Sequence, residues 1–132
     1  MKELLDTHIV LWWFEDGKRL SRRQVRLLRR RDPDRPLLVS DISLWEIATL
    51  VERGRVRLSL PLREWLDRAT APPLVRRVGI TPAVAAEIAA LPARLHRDPA
   101  DRILIATARI FGAKLVTQDD RIIESRAVDV VS

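Results

Sequence analysis

Residues 96–120 read HRDPADRILIATARIFGAKLVTQDD, a helix start, a helix, a stop and a strand in succession. Asp98 is a favoured N-cap, Pro99 suits the first helical position, and Asp101 in the first turn meets the positive end of the helix dipole. An apolar run carries the helix to Phe111, and Gly112 is its C-terminal signal. "KLVT" at 114–117 then reads as a buried strand that delivers Gln118 and Asp119. Two acids three positions apart around a proline either start the helix or hold something. His-Arg-Asp also opens the catalytic loop of protein kinases, but that loop needs an Asn where Ile103 stands, a Gly-rich loop and a metal-binding Asp-Phe-Gly. The sequence has none of these.

Outward from this stretch the alternation of strand and helix continues. "ELLD" at 3–6 is a short apolar run ending in an acid, and the continuous "IVLWWF" after it is a helix, with Gly17 as its stop. "RRQVRLLRRR" at 22–31 has one apolar stripe, Leu20, Val25 and Leu28, surrounded by Arg22, Arg23, Arg26, Arg29 and Arg30. "LLV" at 37–39 is of the buried-strand type, and Leu44, Ile47, Ala48 and Val51 repeat at helical spacing up to Gly54. "LREWLDRAT" at 62–70 is a short helix before Pro72 and Pro73, and "LVRRVGI" at 74–80 is a third strand. Thr81 and Pro82 start the helix "AVAAEIAAL", which Pro92 ends, and "VDVV" at 128–131 is the last strand. Strands alternating with helices, several of them uniformly apolar, predict an α/β domain around a largely parallel sheet.

The 132 residues suit one domain over 1–132, long enough to bury roughly two-thirds of its unfolded surface; 47% of them are apolar, which argues against disorder. There is no cysteine, so disulfides, thiolate zinc sites and cysteine nucleophiles are excluded together, and a reducing cytosol fits. No apolar run approaches the ~20 residues that span a bilayer, so a soluble, cytoplasmic protein is expected. The formal charge is +6, carried mostly by Arg, whose planar fork suits phosphate and carboxylate. Polyanions and acidic peptides are the partners this balance favours.

In open α/β sheets, ligands bind beyond the carboxyl ends of the strands, where strand order reverses. That rule sorts the acids. Asp6 ends the first strand, Asp119 follows "KLVT", and Glu46 and Asp101 lie in opening turns of helices that start from the same rim. Carboxylates gathered within a few ångströms repel one another unless a cation or protons neutralise them. With oxygen donors, no Cys and two His, the suitable ions are Mg²⁺ and Mn²⁺, and the chemistry is metal-assisted attack on a phosphate ester. Each acid also has a structural reading. Ser43-Leu44-Trp45-Glu46 matches a capping box, Asp98 matches a cap, and Asp119 or Asp120 matches a turn. His8 and His96 fit hydrogen-bonded structural roles. Trp12, Trp13, Trp45 and Trp65 fit a core or a subunit interface, with a rim Trp able to stack on a base.

"LLDTHIVLWW", "SLWEIA", "HRDPADRILIATA" and "LVTQDDRI", in this order and spacing over essentially the whole chain, resemble PIN-domain ribonucleases, specifically the VapC-type toxin of VapBC toxin–antitoxin modules. The resemblance implies a three-layer α/β/α fold, a Mg²⁺- or Mn²⁺-dependent endoribonuclease, a homodimer, and inhibition by a VapB-type antitoxin. It puts the family's acidic quartet on Asp6, Glu46, Asp101 and Asp119, with Thr117 as a polar neighbour and Asp98 as a cap that reaches the metal through water at most. Arg97 and Arg102 are expected near the RNA backbone. Ala100 and Leu50 depart from the aromatic and the Lys frequent in close relatives, which bears on substrate contacts. Two alternatives share parts of this pattern: a non-catalytic RNA-binding domain, and a DNA-directed flap nuclease of related fold.

Overall fold

The computed structural model of the chain describes residues 2–30 and 32–132. Its centre is β1 (Lys2–Leu5), whose Leu4 and Leu5 are wholly buried. On one side lie β2 (Leu37–Ser40) and β3 (Val75–Val78), on the other β4 (Ala113–Val116) and β5 (Val130–Val131), giving the order β3-β2-β1-β4-β5 with every pair parallel. In register, Leu4 stands between Leu38 and Leu115, and Leu5 between Val39 and Val116. Because successive side chains leave a strand on opposite faces, the first trio joins one apolar core and the second trio the other. An uninterrupted apolar run is what a strand covered on both faces requires.

Leu5, Val39 and Val116 pack with Ile9 and Val10 of α1 (Thr7–Phe14), Leu28 of α2 (Arg22–Arg29), Ile47 of α3 (Asp41–Glu52) and Trp65 of α4 (Leu62–Ala69). Leu4, Leu38 and Leu115 pack with Leu104 and Ile105 of α6 (Pro99–Phe111) and Ile122 of α7 (Asp120–Ser125). α5 (Pro82–Ala89), capped by Thr81, lies against α6. The three-layer α/β/α arrangement expected from the sequence is the observed one. Among the described residues no helix is long and apolar enough to cross a membrane.

Several boundaries differ from the sequence reading. α1 stops at Phe14, where the Glu15 amide bonds to the Leu11 carbonyl at 2.9 Å. Gly17 does not close it but opens a separate 3₁₀ turn, Gly17–Arg19, capped by Asp16. The last strand is shorter than the "VDVV" run, since only Val130 and Val131 align with β4. In the Arg-rich helix Leu28 is buried and Val25 half-buried, as the stripe implied, but the other buried residue is Gln24. Arg31, at the end of that run, lies outside the described residues. Gly112 takes φ +62° as α6 ends, a left-handed conformation that glycine adopts at little steric cost.

The chain leaves β1 for β2 and β3 on one side and returns to β4 and β5 on the other. The strand order therefore reverses between β1 and β4, and a crevice is expected beyond their carboxyl ends. The Asp6 amide donates to the Val116 carbonyl at 2.9 Å, holding the two strand ends together at that point.

Candidate active site

Asp6 is the first residue past β1 and the N-cap of α1. Its Oδ1 accepts from the Thr7 amide at 2.7 Å and its Oδ2 from the Thr117 hydroxyl at 2.6 Å. Burial pushes its carboxyl above the ordinary range, against the pull of these two bonds. Thr117 leaves β4 with its side chain fully buried, and its oxygen also accepts from the Asp119 amide at 3.0 Å. One hydroxyl thus ties the ends of β1 and β4 to each other and to the start of α7.

Asp119 caps α7, accepting from the Arg121 amide at 2.9 Å and from the Arg121 guanidinium at 3.3 Å. Burial raises its pKa, but the bonds and charge of Arg121 outweigh this and leave it lowered. Asp101, 8% exposed, lies in the first turn of α6, and its amide donates to the capping Asp98 Oδ1 at 3.0 Å. Asp101 Oδ2 stands 2.8 Å from His96 Nε2 and 3.5 Å from the Arg121 guanidinium. Burial and the charges of Asp98, Asp6 and Asp119 nevertheless raise its pKa, against the opposing His96 bond.

Glu46 corrects the capping-box reading. The cap of α3 is Ser40, which accepts from the Ile42 amide at 3.2 Å. Glu46 is consequently in the second turn of α3, and Ser43 is buried with its hydroxyl 2.9 Å from that of Thr7. The Thr7 hydroxyl donates to Glu46 Oε1. Burial, reinforced by Asp6, Asp101 and Asp98, pushes the Glu46 carboxyl up to about 7.

Asp6, Glu46, Asp98, Asp101 and Asp119 line one cleft of about 460 Å³ at the strand-order reversal. His8, Ile9 and Trp12 of α1 line it too, with Arg19, Gln118 and Arg121. Arg97 and Arg102 do not. Arg97 is exposed, and Arg102 turns back to the Leu95 and His96 carbonyls, each at 3.5 Å. Trp65 is core, with its indole N–H on Glu15 at 3.0 Å, whereas Trp45 is 62% exposed.

The donor set is all oxygen, gathered where burial and like charge disfavour the anions, which suits a hard divalent cation. Among the described residues no three of the His, Asp and Glu side chains form a ready-made ligand group. Mg²⁺ keeps several waters and binds through one or two carboxylates, so carboxylates spread around a cleft fit a partly hydrated ion.

The sequence reading missed Thr7, which supports two of the acids at once, as well as Arg121 and the His96 bond to Asp101. The available signal for Thr7 was its place beside Asp6 at the start of a helix. A threonine there, two residues beyond a strand end, has its hydroxyl at the rim whatever it bonds to.

The sequence model of the family described as PIN domain matches residues 4–127. The chain belongs to the PIN-domain family. This PIN domain is 42% identical over 119 residues to Ribonuclease VapC22 of Mycobacterium tuberculosis, an alignment covering 90% of this chain and 88% of that one. Among solved structures it resembles VapBC2 from Rickettsia felis bound to a promoter DNA fragment, with TM-score 0.76 and 15% identity over 99% of this chain and 98% of that one. It also resembles a toxin–antitoxin complex from Klebsiella pneumoniae, with TM-score 0.67 and 18% identity over 99% and 97%. At such identities the two structures speak for the fold. The VapC-type resemblance read from the four motifs agrees with the sequence relative.

Proposed function

We propose that this PIN domain is a Mg²⁺- or Mn²⁺-dependent endoribonuclease, the toxin of a type II toxin–antitoxin pair, acting on RNA in the cytoplasm. The observation that carries this reading is the meeting of Asp6, Glu46, Asp101 and Asp119 in one cleft, drawn from four remote parts of the chain. Repulsion makes such a grouping costly for a fold that has no use for it. The name of the mycobacterial relative points the same way. So does the surface charge. Some exposed arginines are paired with acids, as in Arg63–Asp67, Arg68–Glu64 and Arg77–Asp41, and others, such as Arg53, Arg55 and Arg57, stand exposed singly. Arg22, Arg23, Arg26 and Arg29 of α2 are exposed with no carboxylate partner among the described residues, as a polyanion-binding face requires.

Asp6, Asp101 and Asp119 would hold the cation, directly or through water, and Asp98 serves mainly as the cap that orients Asp101. The bound cation supplies charge neutralisation at the phosphate and lowers the pKa of the attacking water. Glu46, with a pKa near neutrality, is placed to accept the proton of that water at an Oε atom, and the Thr7 hydroxyl fixes its orientation. Arg121 and Arg19, rather than Arg97 and Arg102, stand at the cleft to meet the phosphates.

The test is a substrate panel of structured RNA, single-stranded RNA and flap DNA, each with Mg²⁺ and with chelator. Cleavage of RNA alone, abolished by chelator, is expected. Binding without cleavage would favour a non-catalytic RNA-binding domain, and cleavage of the flap a DNA nuclease. The partners are a VapB-type antitoxin and a second copy of the chain. Light scattering at micromolar concentration should give twice the chain mass, rising with the product of the adjacent gene. A monomeric mass in both samples would refute the assembly.

A further inference from the structure

We propose that Trp12 and Arg19 form a nucleotide subsite beside the acids, Trp12 stacking on one base of the bound strand and Arg19 holding the phosphate next to it. This rests on the ribonuclease reading. Of the adjacent tryptophans on α1, Trp13 turns to Phe14, ring centroids 4.6 Å apart, while Trp12 lines the cleft. One side of Trp12 packs against the core. Its ring neighbours are polar and exposed: the His8 ring at 5.9 Å, tilted by 51°, and the Arg19 guanidinium at 5.8 Å from the ring centroid.

A nucleotide has a charged end and a flat π-face, and the acids with their cation can serve only the first. Among the cleft residues Trp12 is the one large aromatic surface available for the second. The guanidinium beside it is a weak tenant, because an exposed cation–π contact at 5.8 Å is easily exchanged. A base entering over the indole displaces Arg19, and the released guanidinium meets the adjoining phosphate. Gln118 keeps Arg19 within reach as a positioning residue, its amide donating to the Arg19 carbonyl at 2.8 Å and to Gln24 Oε1 at 2.7 Å.

The experiment is a double-mutant cycle between protein and RNA. Binding of a short single-stranded RNA that the wild type cleaves is measured by anisotropy in an Asp101→Asn background with Mg²⁺ present. A single abasic site is scanned along the strand, with and without Trp12→Leu. At one position near the cleavage point the abasic site should weaken binding about tenfold with Trp12 present and leave it nearly unchanged with Trp12→Leu. If Trp12→Leu does not fold, Trp12→Phe carries the same cycle with a smaller coupling. An abasic penalty equal with and without the indole at every position would overturn the subsite while leaving the ribonuclease reading intact. A wild type that neither binds nor cleaves RNA would overturn both.

Discussion

Asp101→Asn is expected to lower RNA cleavage on the order of a hundredfold or more and, at the same time, to raise the melting temperature of the cation-free protein. Asn nearly preserves the shape of Asp101 and can still bond to His96 Nε2, which lies 2.8 Å away. What it removes is a charge held in a buried site beside Asp6, Asp98 and Asp119. Because the folded protein disfavours that charge, neutralising it stabilises the fold when no cation is present. The stabilisation that Mg²⁺ gives should shrink in the same variant, since that effect follows cation concentration relative to the dissociation constant. Asp98→Asn is the control, because Asn caps a helix about as well as Asp, and most cleavage should remain. Melting curves with and without Mg²⁺, alongside cleavage rates, give the answer. A less stable, cation-responsive and active Asp101→Asn protein would reduce Asp101 to a helix-start residue.

The same crowding sets a pH dependence. The Glu46 carboxyl is raised from 4.5 to about 7, so its contribution to stability is complete below about 4.5 and is lost as pH rises through about 7. In chelator the wild type should therefore lose melting temperature over that window. Glu46→Gln should lose less.

Gln24→Leu is expected to be the most destabilising single change outside the apolar core, by about 2 to 4 kcal/mol, or about 10 °C in melting temperature. Gln24 is fully buried, and its amide donates to the Thr117 and Val131 carbonyls at 3.2 and 3.1 Å. Its Oε1 accepts from the Ser21 amide and from Gln118. Leucine fills much of the space but removes the amide donor from the Thr117 carbonyl and the acceptor of the Ser21 amide and Gln118, while the Val131 carbonyl keeps only the Thr117 amide at 3.1 Å. Those carbonyls end β4 and β5, and the Thr117 hydroxyl orients Asp6, so cleavage should fall by several-fold as well. Circular dichroism melts of the two proteins measure the first effect, and a change under about 2 °C would show that water replaces the amide.

Gln24 also marks where the sequence ceased to be readable. Strands such as "LLV" and the "LV" of "KLVT" could be located because burial on both faces keeps these residues apolar. The start and stop of α6 were legible because Asp98, Pro99 and Gly112 act within one turn of where they stand. The rim acids were legible because a strand end in a parallel sheet fixes where the next residue goes. A polar residue in an arginine-rich helix has no such local rule. Gln24 is buried because its amide bridges the Thr117 and Val131 carbonyls, 93 and 107 residues away. Thr7 and Ser43 bond across 36 residues, and Ser43 resembled a cap only until Ser40 took that position. Charge and proximity in sequence point to Arg97 and Arg102 for the substrate. The residues that reach the cleft, Arg19 and Arg121, follow the 3₁₀ turn and the α7 cap.

In the proposed reaction the acids of the cleft would hold a cation that activates water for attack at phosphorus. The most direct measurement is the end chemistry of RNA fragments produced when Mg²⁺ is restored after chelation. Every new fragment should carry a 5′-phosphate and leave a 3′-hydroxyl, with no cleavage before the cation returns. Fragments ending in 2′,3′-cyclic phosphate, formed at an undiminished rate in chelator, would contradict it.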